Sequence, residues 1–229
     1  MGTVIKQKDR RELMTRAGVE LLEQDGPNAM TARKITAKIG MSSIAVYTEF
    51  GSMEKLVASV VDYGFLQLLQ IFQQTPNTNN ILLNIWNVTC NVREFALAHR
   101  HLYAVMFAAE SIGGYQRSGE ELEQGIETLK FLHNLCSQAV KEKVFTQQTA
   151  HHATQFIWAT MHGRLMLELA GYLSKDKDPM NSYRIIITTC FVGLGANSGL
   201  VTNTIPINSL NLKNANILNE IKNLDTINN

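Results

Sequence analysis

Apolar residues recur at three- and four-residue spacing from the start of the chain to about residue 200, the period of an amphipathic helix and not the alternation of a half-buried strand. From Lys8 to Gln24 the stripe runs through Leu13, Met14, Ala17, Leu21 and Leu22, and Asp25-Gly26-Pro27 ends it. A longer run from Ser52 to Gln74 carries Leu56, Val57, Val60, Val61, Leu68 and Phe72, and reads as a connecting helix that stops at the turn formers Thr75 to Asn80. Beyond it the pattern predicts helices over Ile81–His99, Leu102–Ala109, Glu120–Glu142, Thr149–Leu173 and Ser182–Gly199, with a glycine-rich loop over Ser111–Gly119. Ile185 to Val192 is β-branched enough for a short strand, but its helical surroundings favour a helix. The expected fold is therefore all-α, a three-helix head over residues 1–56 and a helical bundle over 57–200. An Asn-rich tail over 201–229 is expected to be weakly ordered.

The densest signal lies in Thr31 to Leu56. Thr31 is a candidate N-cap, Ile35 and Ile39 share an apolar face, and Gly40 stops the first short helix. Ser42 or Ser43 can cap a second one bearing Val46, Tyr47 and Phe50. A short helix, a glycine turn and another short helix are the grammar of a helix-turn-helix, whose second helix enters the major groove of double-stranded DNA. The residues expected at base edges are Ser42, Ser43, Ala45 and Thr48, all short, so hydroxyl, methyl and water contacts replace a bidentate arginine. Arg33 is the nearest candidate for a guanine contact. Tyr47 is expected to turn its ring inward and its hydroxyl to a phosphate, with Lys55 adding charge there. Glu49 should face away from the DNA or pair with a neighbouring base such as Lys55.

The run G-M-S-S-I-A-V-Y-T-E-F-G-S-M-E-K-L, Gly40 to Leu56, resembles the signature of TetR-type transcriptional repressors. It departs from the commonest pattern at Ser43, Thr48, Glu49 and Met53, and is similar to a subgroup with Val-Tyr-Thr-x-Phe-Gly. The resemblance implies a homodimeric regulator that binds a palindromic operator and is released by a small molecule. Trp158, His162 and Gly163 match a Trp-x-x-x-His-Gly pattern of one group of TetR carboxy-terminal domains. The last two helices then resemble those that pair with their twins into a four-helix bundle.

Composition adds limits. The net charge is +1, yet Lys6, Lys8, Arg10, Arg11 and Arg16 gather at the start, with Arg33, Lys34 and Lys38 close behind. Cys90, Cys136 and Cys190 are scattered and odd in number, as buried thiols of a reducing compartment would be. The amino terminus lacks an apolar core of signal-peptide length, and Ile185 to Leu194 is too short to cross a bilayer, so a soluble cytoplasmic protein with no membrane partner is expected.

Phe156 to Leu173 is apolar nearly all round, which suits a helix surrounded by others. Trp158, Gly163, Leu167, Gly171, Ile187 and Phe191 are the expected dimer contacts. Large adaptable side chains in the body suggest a pocket for a largely apolar effector: Trp86, Phe95, Tyr103 and Phe107, then Phe131, Trp158, Met161 and His162. Tyr103, His162 and Arg93 are its candidate polar groups. The histidines lack metal-ligand spacing, and no nucleophile elbow, phosphate loop or dinucleotide fingerprint occurs, so no metal, cofactor or catalytic residue is expected. The rival reading is an all-α ligand-binding or protein-interaction module with a vestigial head.

Overall fold

The computed structural model describes residues 7–107, 123–146 and 148–205, and every regular element among the described residues is a helix. In chain order these are α1 (Gln7–Asp25), a 3-10 turn (Pro27–Ala29), α2 (Ala32–Lys38), α3 (Ile44–Phe50), α4 (Met53–Gln74) and α5 (Ile81–Ala98). Then follow α6 (Arg100–Phe107), α7 (Glu123–Lys141), α8 (Ala150–Leu169), α9 (Pro179–Gly193) and α10 (Ser198–Thr204). The glycine-rich stretch Ser111–Gly119 and the chain beyond Ile205 lie outside the described residues.

The chain gathers into two compact units, one from residues up to Leu68 with Phe95–Thr128, the other from Leu69–Glu94 with Leu129 onward. In the first unit, α1 buries Met14, Ala17 and Leu22 against a core that includes Ile35, Val46, Phe50, Leu56 and Val60. Leu13, expected on that stripe, is 41% exposed; the face turns through Met14 instead. Gly18 makes the approach of α4 possible, since a Cβ there would lie 3.0 Å from Val60 Cγ2. At the other end of α1 the Glu23 carboxylate accepts the Leu102 N–H at 2.7 Å, satisfying a donor in the first turn of α6. Helix α4 is long and apolar enough to span a membrane by composition, but half of its apolar stretch is buried inside the protein, as in a core helix.

The second unit is organised around α8 and α9. Their inward positions, Ala153, Ile157, Met161 and Leu165 on one and Tyr183, Ile187 and Phe191 on the other, are buried at helical spacing. Tyr183 donates to the Thr89 carbonyl at 2.7 Å and packs on Trp86 with ring centroids 6.1 Å apart. Beside them lies a buried ionic cluster. Glu168 accepts from Arg93 Nη2 at 2.5 Å and from Arg164 Nη1 at 3.1 Å, and Arg164 reaches Asp176 at 3.4 Å. The Arg93 guanidinium also sits over the Tyr183 ring, 5.6 Å from its centroid.

The single helix expected over Ser182–Gly199 is two. Helix α9 ends at Gly193, and the Asn197 side chain caps α10 by accepting the Leu200 N–H at 3.0 Å. Val201 and Ile205, assigned from sequence to the weakly ordered tail, are buried.

Candidate nucleic-acid interface

Helices α2 and α3 form the helix-turn-helix. Thr31 caps α2 as expected, its hydroxyl accepting the Lys34 N–H at 3.3 Å. The turn between the helices passes through Gly40 at φ +67°, and α3 ends on Gly51 at φ +84°. Both have the positive φ that glycine adopts without strain, and a Cβ added at either would meet nothing within 4 Å, so backbone shape and not space requires them. The expected hydroxyl cap on α3 is absent. Ser43 occupies the N-cap in a helical conformation and its side chain makes no capping bond, which leaves Ser42 and Ser43 exposed at the start of the helix.

Two faces divide α3. Val46, Glu49 and Phe50 are buried, while Ile44, Tyr47 and Thr48 are exposed one helical turn apart on the opposite side, with Ala45 between. Tyr47 is 56% exposed, so its ring does not turn inward as expected. Val46 and Phe50 already fill that side. Glu49 lies away from the exposed face, in keeping with the expectation, and its partner is a distant one. Its carboxylate is buried and pairs with Arg10 at 3.3 Å, not with Lys55, while Arg11 donates to the Glu49 carbonyl at 3.1 Å and covers the Phe50 ring at 4.6 Å. The two arginines of α1 that the sequence suggested for the DNA backbone thus hold the second helix of the motif in place.

Other cations of the basic cluster are engaged as well. Lys38 pairs with Glu20 at 2.8 Å and Arg16 with Glu12 at 3.0 Å. Arg33, Lys34 and Lys55, on the helices before and after α3, are exposed and form no ion pair among the described residues. Sequence reasoning missed Ile44, which is 71% exposed. The signal was present, since Ile44 is out of phase with Val46 and Phe50.

The suggested effector residues do not share one unit. Phe95, Tyr103 and Phe107 belong to the first, where Tyr103 and Phe107 pack at 4.7 Å and burial pushes the Tyr103 hydroxyl pKa up. The other five belong to the second. There Trp86 and Met161 are buried, and Trp158 lies parallel to His162 at 6.0 Å. Burial lowers the His162 pKa. Arg93, a suggested polar group, is committed to Glu168. A cavity of about 330 Å³ in this unit is lined by Phe72, Val88, Phe131 and Leu135 with Thr75 and Asn84, so of the expected residues it includes Phe131. Cys136 is fully buried and burial pushes its thiol up to about 11; burial shifts Cys90 and Cys190 the same way, which disfavours the thiolate in all three.

Ile187 and Phe191 are fully buried within the chain, Phe191 against Phe145 at 5.8 Å, so they are not available to a partner and the expected contact set is corrected there. The outward face of α8 carries Phe156, Ala159, Gly163, Met166 and Leu167, and that of α9 carries Ile185, Thr189, Val192 and Gly193. A groove of about 520 Å³ runs between these faces, lined among others by Phe156, Thr160, Ile185 and Gly193.

Comparison with known proteins assigns both halves. Residues 15–60 match the model for bacterial regulatory proteins of the tetR family, and residues 86–190 match that for the tetracyclin repressor-like C-terminal domain. No curated protein matches the chain. Among solved structures, the regulatory protein SCO4313 is similar at 18% identity with a TM-score of 0.65, over 80% of this chain and 96% of that one. A tetR-family regulatory protein from Rhodococcus RHA1 aligns at 15% identity and TM-score 0.61, over 82% and 97% of the two chains. RolR in complex with resorcinol aligns at 12% identity and TM-score 0.65, over 87% and 96%. At these identities the likeness shows the fold. The two family models together cover about two thirds of the sequence, and the chain belongs to the TetR family, whose members are DNA-binding regulators of transcription.

Proposed function

We propose that this chain is a homodimeric repressor that binds a palindromic operator through α3 and releases it when a small, largely apolar effector occupies the second unit. The observation that carries the reading is the division of α3. Its buried face fixes the helix on α1, its exposed face carries Ile44, Tyr47 and Thr48 outside the core, and the helices before and after it expose Arg33, Lys34 and Lys55. Two copies are needed to reach half-sites one DNA turn apart. The apolar outward faces of α8 and α9, open at Gly163 and Gly193 where a Cβ would meet nothing within 4 Å, support pairing of two chains there.

The cavity beside Phe131 supports an effector without a net charge, because its lining holds aromatic, aliphatic and amide groups and no charged side chain. RolR is solved with resorcinol, a small neutral aromatic, which favours the same class here. Phe72 and Gln73 in the lining belong to α4, which begins at Met53 just after α3, so a ligand that prefers one position of α4 biases the reading helix. A hundredfold preference amounts to about 2.7 kcal/mol. The test is an electrophoretic shift with the DNA upstream of the chain's own gene. Tyr47→Ala and Arg33→Ala should weaken binding while the helical content stays constant, Arg33→Ala by about 1 to 3 kcal/mol if it reads a base. Equal affinity of both variants and the wild type would remove α3 as the reading element.

A further inference from the structure

Ile44 opens α3, is 71% exposed, and contributes nothing to the packing of that helix, which rests on Val46, Glu49 and Phe50. Its neighbours on the outward face are uncharged and, apart from Tyr47, short. Ser42, Ser43 and Ala45 precede or flank it, and Thr48 already donates its hydroxyl proton to the Ile44 carbonyl at 3.1 Å. A face of this kind has no fork of donors for guanine and no amide for adenine. What it offers is a branched apolar side chain, and among the four bases only thymine presents an apolar group, its 5-methyl, in the major groove. Arg33 and Lys34 on α2 and Lys55 on α4, exposed and without ion pairs among the described residues, suit a polyanion and not an apolar protein partner.

We propose that Ile44 is a specificity-determining residue that packs on a thymine methyl group, so that each operator half-site carries a thymine at the position it contacts. The inference rests on the DNA-reading role of α3 and adds the base that role selects. Because the side chain is outside the core, Ile44→Ala leaves the fold intact, and Ile44→Val keeps a branched apolar contact.

The experiment begins with selection of duplexes from a random pool by the full-length wild-type protein, followed by replacement of each thymine of the enriched sequence with deoxyuridine, which removes only the methyl. Anisotropy titrations should identify one thymine per half-site whose replacement weakens wild-type binding about fourfold, the factor associated with burying one methyl-sized group. Ile44→Val should keep that discrimination, and Ile44→Ala should bind the thymine and uracil duplexes equally. Loss of discrimination in no variant, or a selected sequence in which no thymine responds, overturns the proposal while leaving α3 as a DNA-reading helix. A selection that enriches no sequence removes the DNA-reading role itself, and the proposal with it.

Discussion

Glu168 is the shared acceptor of two buried arginines, and its removal is the most demanding test of how the second unit is held. Its side chain is 13% exposed, as is that of Arg93, and Arg164 is 5% exposed. Glu168→Ala takes from Arg93 its paired carboxylate and leaves Arg164 with the longer contact to Asp176, at 3.4 Å. Breaking a buried pair by deleting one partner costs about 3 to 5 kcal/mol, because the orphaned charge stays out of water. For a chain of this size each kcal/mol shifts Tm by about 2 to 4 °C, so thermal unfolding followed by circular dichroism should show a drop of about 6 to 20 °C at fixed protein concentration. The triple replacement Arg93→Met, Arg164→Met and Glu168→Leu should recover most of that loss, since the attraction within the cluster largely repays desolvation and an apolar substitute needs neither. A Glu168→Ala protein that melts within about 2 °C of the wild type would refute the reasoning, as it would mean the arginines rehydrate at little expense.

Two further outcomes follow from the body. Gly163→Leu places a bulky side chain on the outward face of α8, where no atom lies within 4 Å of the added Cβ, so sedimentation should find separated subunits with unchanged helicity; an intact dimer would move the pairing surface elsewhere. Burial holds the His162 pKa below its usual value of about 6.5, so as pH falls the unfolded chain takes up the proton first. The stability this neutral ring contributes is complete above about pH 6.5 and is lost as pH falls through that value toward the folded pKa, and the urea midpoint of His162→Gln should fall less steeply over the same range. A parallel decline in both proteins would assign the pH dependence to other groups.

Much of the architecture was legible because helical period, caps and breakers are local. Thr31, Gly40 and the Ile35, Val46 and Phe50 faces all stand where spacing puts them. Contacts between distant parts of the chain were not. Glu49 looked like an acid misplaced on a reading helix, and its burial depends on Arg10, 39 residues earlier. Ile187 and Phe191 sit in a helix with little apolar phase, so only packing against Phe145 and α8 decides which side faces in. Asn197 did announce α10, but the apolar run before it masked the break.

The division of α3 separates two demands that usually compete within one short helix. Substitutions at Ile44, Tyr47 or Thr48 alter exposed atoms and leave the Val46, Glu49 and Phe50 anchorage untouched. Surface changes of that kind generally shift stability by no more than about 0.5 kcal/mol. On the proposed reading role of α3, exchanging these three side chains would change target preference on a scaffold whose folding does not register the exchange.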